Sequence, residues 1–433
     1  MAAAASWSNW AGDQACAPAL LEQPADNAAV IDAVQRATIA GRNVRVAGAG
    51  HSFTDAVLTG GTLLTLREMS HVIDVDPGSG LVRVQAGATL HDLSETLWGH
   101  GLAFENLGDI DVQTIAGATA TGTHGTGSRL RNLSAGLHAL QLVSGLGDVV
   151  EIDETTDADA WRAARVSVGA LGVVTEVTFK AVEAFAIHAR EAVEPFADII
   201  DGLDEHADAH DHFEFFVFPH ADHAITKRND RTDAAPAPSS AASAWVRDIL
   251  LANYAFDAIC RVGRRVPRSI PALNRLLTRA AGSREYVDRS YRVFASPRLT
   301  RFTEMEYAVP RESATAVIRA VKEAAERPGF NVPFPIEVRF VAGDDALLSP
   351  ACGRATCYVA VHMYRGMPWE AYFRAVEEIM DVYDGRPHWG KRHFQTAATL
   401  GKRYPGWETF QSVRARLDPE GRFANGYVRR VLG

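Results

Sequence analysis

The chain runs to 433 residues with 47% apolar and 22% charged side chains, too long for one ordinary domain and typical of globular material. A formal net charge of −9 leaves no basic balance to displace the counterions of a nucleic acid, so nucleic-acid binding is excluded. No stretch approaches the ~18 apolar residues of a membrane span, and the opening MAAAASWSNWAGDQ lacks the basic and apolar regions of a secretion signal. With four scattered cysteines, Cys16, Cys260, Cys352 and Cys357, free thiols are expected rather than a disulfide framework or a zinc site. The expectation is a cytoplasmic protein with no nucleic-acid or membrane partner.

In chain order, apolar positions at helical spacing (Val30, Ile31, Val34, Ala37) predict a helix over 27–40, followed by a strand over 43–47 that runs into glycines. Further strands are predicted over 62–66, 71–74 and 82–85. Thr89 is a fitting N-cap for a helix over 89–98. Gly147-Asp148 between the apolar runs 139–143 and 149–152 predicts a hairpin. A last strand of this half is predicted over 171–179.

Beyond residue 184 the pattern changes. An apolar strand over 213–218 precedes a polar, alanine- and proline-rich segment, 228–243, that reads as a surface loop. A helical region over 244–281 follows, and its Arg261, Arg264, Arg265 and Arg268 read as a solvated face. Strands over 304–309, 336–341 and 357–362, with helices over 312–327 and 369–383, predict a second sheet. The whole reads as an α+β chain of two domains.

The most informative stretch is RVAGAGHSF, residues 45–53. Glycines at a strand end let backbone N–H groups approach an anion. The third glycine of a dinucleotide-binding Rossmann turn is replaced by Phe53, which disfavours that fold. Alone, the turn fits a phosphate cradle and an ordinary strand-to-turn glycine pair equally. A second segment, IAGATATGTHGTG over 115–127, is depleted of bulk in the way a backbone lying along a pyrophosphate would be. Two such segments in one half, each with a histidine at its turn, point to a cofactor site.

Together with NLGDIDVQTIAGATATGTHGTG and GALGVVTEVTF, this turn resembles the FAD-binding domain (PCMH type) of the vanillyl-alcohol-oxidase superfamily. Within it the chain resembles the aldonolactone oxidoreductases and the related alditol oxidases, with the bacterial L-gulono-1,4-lactone branch the best fit. The resemblance runs from about Trp7 to Gly433 and implies a two-domain vanillyl-alcohol-oxidase fold. Residues 1–183 would form the FAD domain, and 184–400 an α+β substrate (cap) domain with a central antiparallel sheet. Residues 401–433 would return to the FAD domain.

The resemblance also implies FAD joined through its 8α-methyl to His51. Gly48, Ala49, Gly50, Ser52, Gly108, Gly117, Thr121, Gly122, His124, Gly125, Gly172, Val173, Asn425 and Tyr427 would accompany His51 in cofactor binding. The family's closing Asn-Asp-Tyr reads Asn425-Gly426-Tyr427 here, which removes the acidic group.

On the substrate side, PIEVRF over 335–340 puts Glu337 and Arg339 on one face of a strand and Ile336, Val338 and Phe340 on the other. Pattern alone fits a cavity-lining strand or a solvated face. PHWGKRH over 387–393 is a dense run of donors. By family motif, Glu337, Arg339 and Lys391 would surround the reacting carbon with His388 close by, and no formal base is assigned. Asp109 falls where alditol oxidases carry a substrate-contacting serine, which turns the expectation from polyols toward a sugar lactone. Gly108 would leave room for oxygen at the flavin, so the electron acceptor is O2 or another oxidant. The expected reaction is oxidation of the C2 hydroxyl of an L-gulono-1,4-lactone type substrate, with a polyol as the alternative.

Overall fold

The computed structural model describes residues 5–238 and 240–433. The amino-terminal half begins with a helix, Asn27–Ile39, capped by the Asp26 side chain and burying Val30, Ala33, Val34 and Ala37, the row its spacing predicts. It packs near a parallel three-stranded sheet in the order Leu20–Glu22, Thr62–Thr65, Val44–Ala47. A five-stranded antiparallel sheet completes this half, in the order Val149–Asp153, Leu137–Val143, Val173–Lys180, Leu81–Gln85, Val72–Asp76. Thr89 caps Leu90–Gly99 as expected. The bulk-depleted second glycine segment begins as a short helix, Ile115–Ala120, whose N-cap Thr114 accepts from Gly117 N–H.

The second half is built on one antiparallel sheet of eight strands: Arg284–Arg289, Ala186–Pro195, His223–Thr232, His212–Val217, Ile336–Val341, Thr356–Tyr364, Phe302–Pro310 and Arg386–Pro387. Its two strands Ala186–Pro195 and Arg284–Arg289 were not anticipated. The segment read as a loop from 228 is strand up to Thr232, because His223–Thr232 pairs along its whole length with Ala186–Pro195.

One face of this sheet is apolar. Met305, Tyr307, Val309, Ile336, Val338, Phe340, Val359 and Val361 pack in a buried cluster with Val317, Ile318 and Val321 of helix Ala314–Ala325 and Phe373, Val376 and Met380 of helix Glu370–Val382. Strand alternation then sends the even-numbered neighbours of the first three, and Glu337 and Arg339, to the opposite face. That face looks toward the amino-terminal half, and its polar side chains are buried as well. Among the described residues no helix is long and apolar enough to cross a membrane.

Candidate active site

Two adjoining cavities lie between the halves. The larger, about 650 Å³, is lined by the turn Gly48, Ala49, Gly50, His51 and Ser52, by Gly117 and Thr121, and by Gly172. Gly50 has φ of +74°, where a side chain would be strained. A Cβ on Gly48 would stand 2.5 Å from Thr114 Oγ1, so this turn can be held against the next segment only by glycine.

Arg45 fixes the floor of the groove. Buried at 3% exposure, it donates to the carbonyls of Ala56 (2.8 Å), Gly169 (2.9 Å), Phe423 (2.7 Å) and Val168 (2.8 Å). Val168 has φ of +53°, a costly conformation for a β-branched residue. Its N–H donates to Ala120 O at 2.9 Å, so both of its peptide groups are restrained by other segments.

His51 faces both cavities. Its ring stacks on Trp10 with centroids 5.1 Å apart at 21°, and Arg301 lies 5.3 Å over that tryptophan. Burial, with Lys391 and Arg301 adding repulsion, pushes the imidazole down to about 4. His51 is therefore neutral at physiological pH and presents a free nitrogen lone pair.

The smaller cavity, about 250 Å³, is walled by the polar face of the eight-stranded sheet. Register brings the charges together: Lys227 opposes Glu214, Glu214 opposes Arg339, and Glu304 opposes His362. Lys227 Nζ is 3.0 Å from Glu214, and Arg339 Nε is 2.9 Å from Glu214 and 2.5 Å from Glu337. His362 Nε2 is 3.5 Å from Glu304 and 3.9 Å from Glu337. Lys391 Nζ donates to Glu304 at 2.5 Å. Asp109, from the other half, pairs closely with Arg298 and lies 3.8 Å from Arg339.

The charge states follow from these pairs. Burial opposes ionisation of Asp109, yet Arg298, Arg339 and Lys391 hold it far below the usual carboxylate range. Glu304 is likewise lowered against its burial by Lys391 and His362. Lys391 is raised because Glu304 and Glu306 outweigh its desolvation. Glu337 moves the other way: burial, joined by repulsion from Asp109 and Glu214, lifts it above the ordinary value despite Arg339.

Beside this row lies a trio, His124, Glu306 and His388, whose ligand atoms lie within 4.8 Å of one another. The backbone N–H of Gly390 donates to His388 Nδ1 at 3.0 Å, so the proton of that neutral ring is on Nε2. A nitrogen carrying a proton cannot ligate a metal. Burial keeps His388 neutral, down to about 3. His124 Nδ1 is 2.8 Å from Gly125 O and must donate, while its Nε2 faces Glu306 at 3.2 Å.

Residues 18–153 match the family model of an FAD binding domain, and 177–431 match that of D-arabinono-1,4-lactone oxidase. The chain belongs to the D-arabinono-1,4-lactone oxidase family. It is 49% identical to a Mycobacterium tuberculosis protein named L-gulono-1,4-lactone dehydrogenase, covering 99% of each chain. It is 33% identical to mouse L-gulonolactone oxidase, covering 98% of this chain and 97% of that one. Among solved structures, cholesterol oxidase from Brevibacterium sterolicum superposes with a TM-score of 0.81 at 16% identity, covering 99% of this chain and 96% of that one. That last likeness shows the fold alone.

For this member of the D-arabinono-1,4-lactone oxidase family, the structure distributes the expected site residues unevenly. Gly108, Asp109, His124, Glu337, Arg339, His388 and Lys391 line the smaller cavity, so His124 stands with Glu337, Arg339 and Lys391 rather than along the larger groove. Five expected cofactor residues line neither cavity. Gly122, with φ of +76°, packs on Pro350, and the missing Cβ of Gly125 makes room for Asn106 and Leu107 O. Val173 is core, clustered with Val143 and Val34, while Gly172 and Val174 on either side line the groove. Asn425 caps helix Gly426–Leu432 and donates to the carbonyls of Asp55, Ala56 and Leu58. Tyr427 donates to Trp389 O at 3.0 Å and bonds His393. The last two thus hold the walls of the site from behind. Arg298, Glu304, Glu306 and His362 went unremarked in the sequence, although Glu304 and Glu306 alternate with Met305, Tyr307 and Val309 just as Glu337 and Arg339 do with their apolar neighbours.

Proposed function

We propose that the protein oxidises the C2 hydroxyl of an aldono-1,4-lactone of the L-gulono type, giving ascorbate or an analogue, with FAD joined covalently to His51. The observation that carries this reading is the place of His51: its neutral ring opens on one side to the glycine-walled groove and on the other to Glu337, Arg339 and Lys391. The groove fits the cofactor in size, since about 650 Å³ lies within the range of dinucleotide and drug-sized sites, and in chemistry, since Gly48 and Gly50 leave their backbone open. In this reading residues 1–183 and 401–433 hold FAD, residues 184–400 hold the substrate, and the enzyme works in the cytoplasm.

When bound, FAD supplies the hydride acceptor at N5 and passes the electrons on to O2 or another acceptor. The chain's own groups prepare the alcohol. Arg339 and Lys391, both kept cationic, stabilise the developing alkoxide. Among the four carboxylates of the smaller cavity, Asp109, Glu304 and Glu306 are held ionised by cations and accept protons poorly. Glu337 is raised toward the working pH, the property of a general base, and takes the hydroxyl proton. His362, whose cationic form Glu304 favours against its own burial, lies between Glu304 and Glu337 and contacts both.

The test is anaerobic bleaching of the yellow protein by L-gulono-1,4-lactone and, separately, by xylitol, before and after the change Lys391→Met. The lactone should bleach wild type, and the variant should bleach at least about a hundredfold more slowly with FAD still bound. Bleaching by xylitol alone would overturn the lactone assignment. Flavin released into the supernatant on acid precipitation would overturn the bond to His51.

A further inference from the structure

The segment 7–16 takes no part in preparing the alcohol, yet it folds over the turn that carries His51. Trp7–Ser8 pairs antiparallel with Ala15–Cys16. Buried Asn9 closes the hairpin between them, its Oδ1 accepting from the N–H groups of Gly12 (2.9 Å), Asp13 (3.1 Å) and Gln14 (3.1 Å). Three donors of the hairpin then reach the histidine turn. Trp10 N–H donates to Gly50 O at 2.8 Å, Asn9 Nδ2 to Ser52 O at 3.1 Å and Gln14 Nε2 to Phe53 O at 3.3 Å. These carbonyls flank His51 in sequence, so its backbone is held both before and after it. A salt bridge of 2.5 Å from Arg392 to Asp13 ties the hairpin to the loop of Lys391.

The His51 ring is fixed in a different way. An imidazole with a set role is ordinarily oriented by a hydrogen bond at one of its nitrogens. Neither nitrogen of His51 makes one with a described residue. What lies against the ring is Trp10, nearly parallel at 21° with centroids 5.1 Å apart. The indole is itself wedged edge-on by Phe53 (6.5 Å, 84°) and Phe302 (5.5 Å, 72°), with Arg301 over it at 5.3 Å. A ring pressed on one face limits the side-chain rotation of the imidazole while leaving both nitrogens free. A hydrogen bond would instead occupy the lone pair or the proton that bond formation uses. Like His51, Trp10 lines both cavities.

We infer, on the reading that FAD is joined to His51, that Trp10 is a positioning residue for that attachment: held by the hairpin, its indole sets the plane of the His51 ring so that a nitrogen meets the 8α carbon. In this step a C–N bond forms between the His51 nitrogen and that carbon. The carbon gives up one hydrogen as a proton, and the imidazole gives up its N–H proton. The electron pair released reduces the flavin ring, which takes up both protons and is re-oxidised by O2 or the acceptor of ordinary turnover. Such a bond depends on near-attack geometry, where a misplacement of about 1 Å costs about a hundredfold in rate. A hairpin that merely braced the groove would act on FAD affinity instead.

The test adds saturating FAD to full-length apoprotein from a riboflavin-starved host, for wild type, Trp10→Leu and Trp10→Phe. Flavin retained by the protein after acid precipitation reports the bond, and quenching of FAD fluorescence reports reversible binding. Trp10→Leu should bind FAD within about threefold of wild type yet form the bond at least about tenfold more slowly. Trp10→Phe, which keeps a flat ring, should form it within about threefold of wild type. No residue of 7–16 belongs to the hydrophobic clusters of either half, so these changes leave the cores intact. Asn9→Ala, with Trp10 untouched, frees the hairpin from Ser52 and should slow the bond about threefold or more. A wild-type rate in Trp10→Leu or in Asn9→Ala would overturn the inference, as would equal slowing by Leu and Phe. A tenfold loss of reversible FAD binding in Trp10→Leu would also sink it, because the indole would then serve the groove. Release of the flavin from wild type is a separate outcome, which would remove the covalent link itself.

Discussion

Replacing Arg45 by Met tests whether the glycine-walled groove is held open by the buried guanidinium beneath it. The methionine fills much of the same apolar volume and removes four hydrogen bonds. The Ala56 carbonyl keeps a donor in Asn425 Nδ2 at 3.1 Å, leaving those of Val168, Gly169 and Phe423 without one. Three orphaned acceptors at about 2 kcal/mol each cost about 6 kcal/mol. Against this, burial depresses the Arg45 pKa from 12.5 to about 10, so removing the buried charge relieves about 3 kcal/mol. The net loss is about 3 kcal/mol, read as a fall in the urea midpoint at constant slope. Because Val168 and Gly169 line the groove, FAD content should fall with stability. A loss below about 1 kcal/mol with full flavin content would refute the reasoning, since it would mean that those carbonyls find other donors and that Val168 keeps its strained backbone without Arg45.

Three further outcomes follow from the site. With His51 depressed to about 4, its reactive neutral form persists on acidification, so covalent FAD incorporation into apoprotein should be equal at pH 8 and pH 5.5. An ordinary imidazole would be about nine-tenths protonated at the lower pH, and a tenfold drop there would refute the neutral histidine. Asp109→Ser removes the carboxylate shared by Arg298 and Arg339, so kcat/KM for lactone should fall about tenfold or more relative to that for xylitol; an unchanged ratio would remove Asp109 from substrate selection. At Gly108 an added Cβ would stand 3.2 Å from His124 O and 3.6 Å from Thr123 Cγ2, so Gly108→Ala tightens that cavity wall. Air re-oxidation of the reduced flavin should slow about tenfold while reduction by lactone stays within about threefold, as stopped-flow absorbance would show.

What could be read in the chain beforehand depended on whether the signal was local. The glycine turn was legible because depletion of side chains in RVAGAGHSF is itself a sequence pattern, and Gly48 and Gly50 do face the groove. Alternation exposed the polar face of Ile336–Val341, since Glu337 and Arg339 need only their own strand to share a side. The strands Ala186–Pro195 and Arg284–Arg289 were missed because charged residues crowd both and their pairing partners lie tens of residues away.

Motif similarity failed differently. It marked Asn425 and Tyr427 as important without distinguishing a contact to the cofactor from a contact to the backbone around it. Asn425 spends its amide on three carbonyls of 55–58, and Tyr427 holds Trp389 two residues before Lys391.

The partners that set the charge of the site were the least legible, because each pair is formed by folding. Lys391 meets Glu304 across 87 residues, and His124 meets Glu306 only because the first half of the chain closes onto the sheet of the second. The same closure decides the state of Glu337. Isolated on its strand it would be an ordinary exposed carboxylate paired weakly with Arg339. Buried beside Asp109 and Glu214 it is raised instead, and so becomes the carboxylate on that wall suited to take a proton. The state of Glu337 is thus a property of the assembled cavity: burial is the largest cause of its rise, and the residue that adds most to that rise, Asp109, belongs to the opposite half of the molecule.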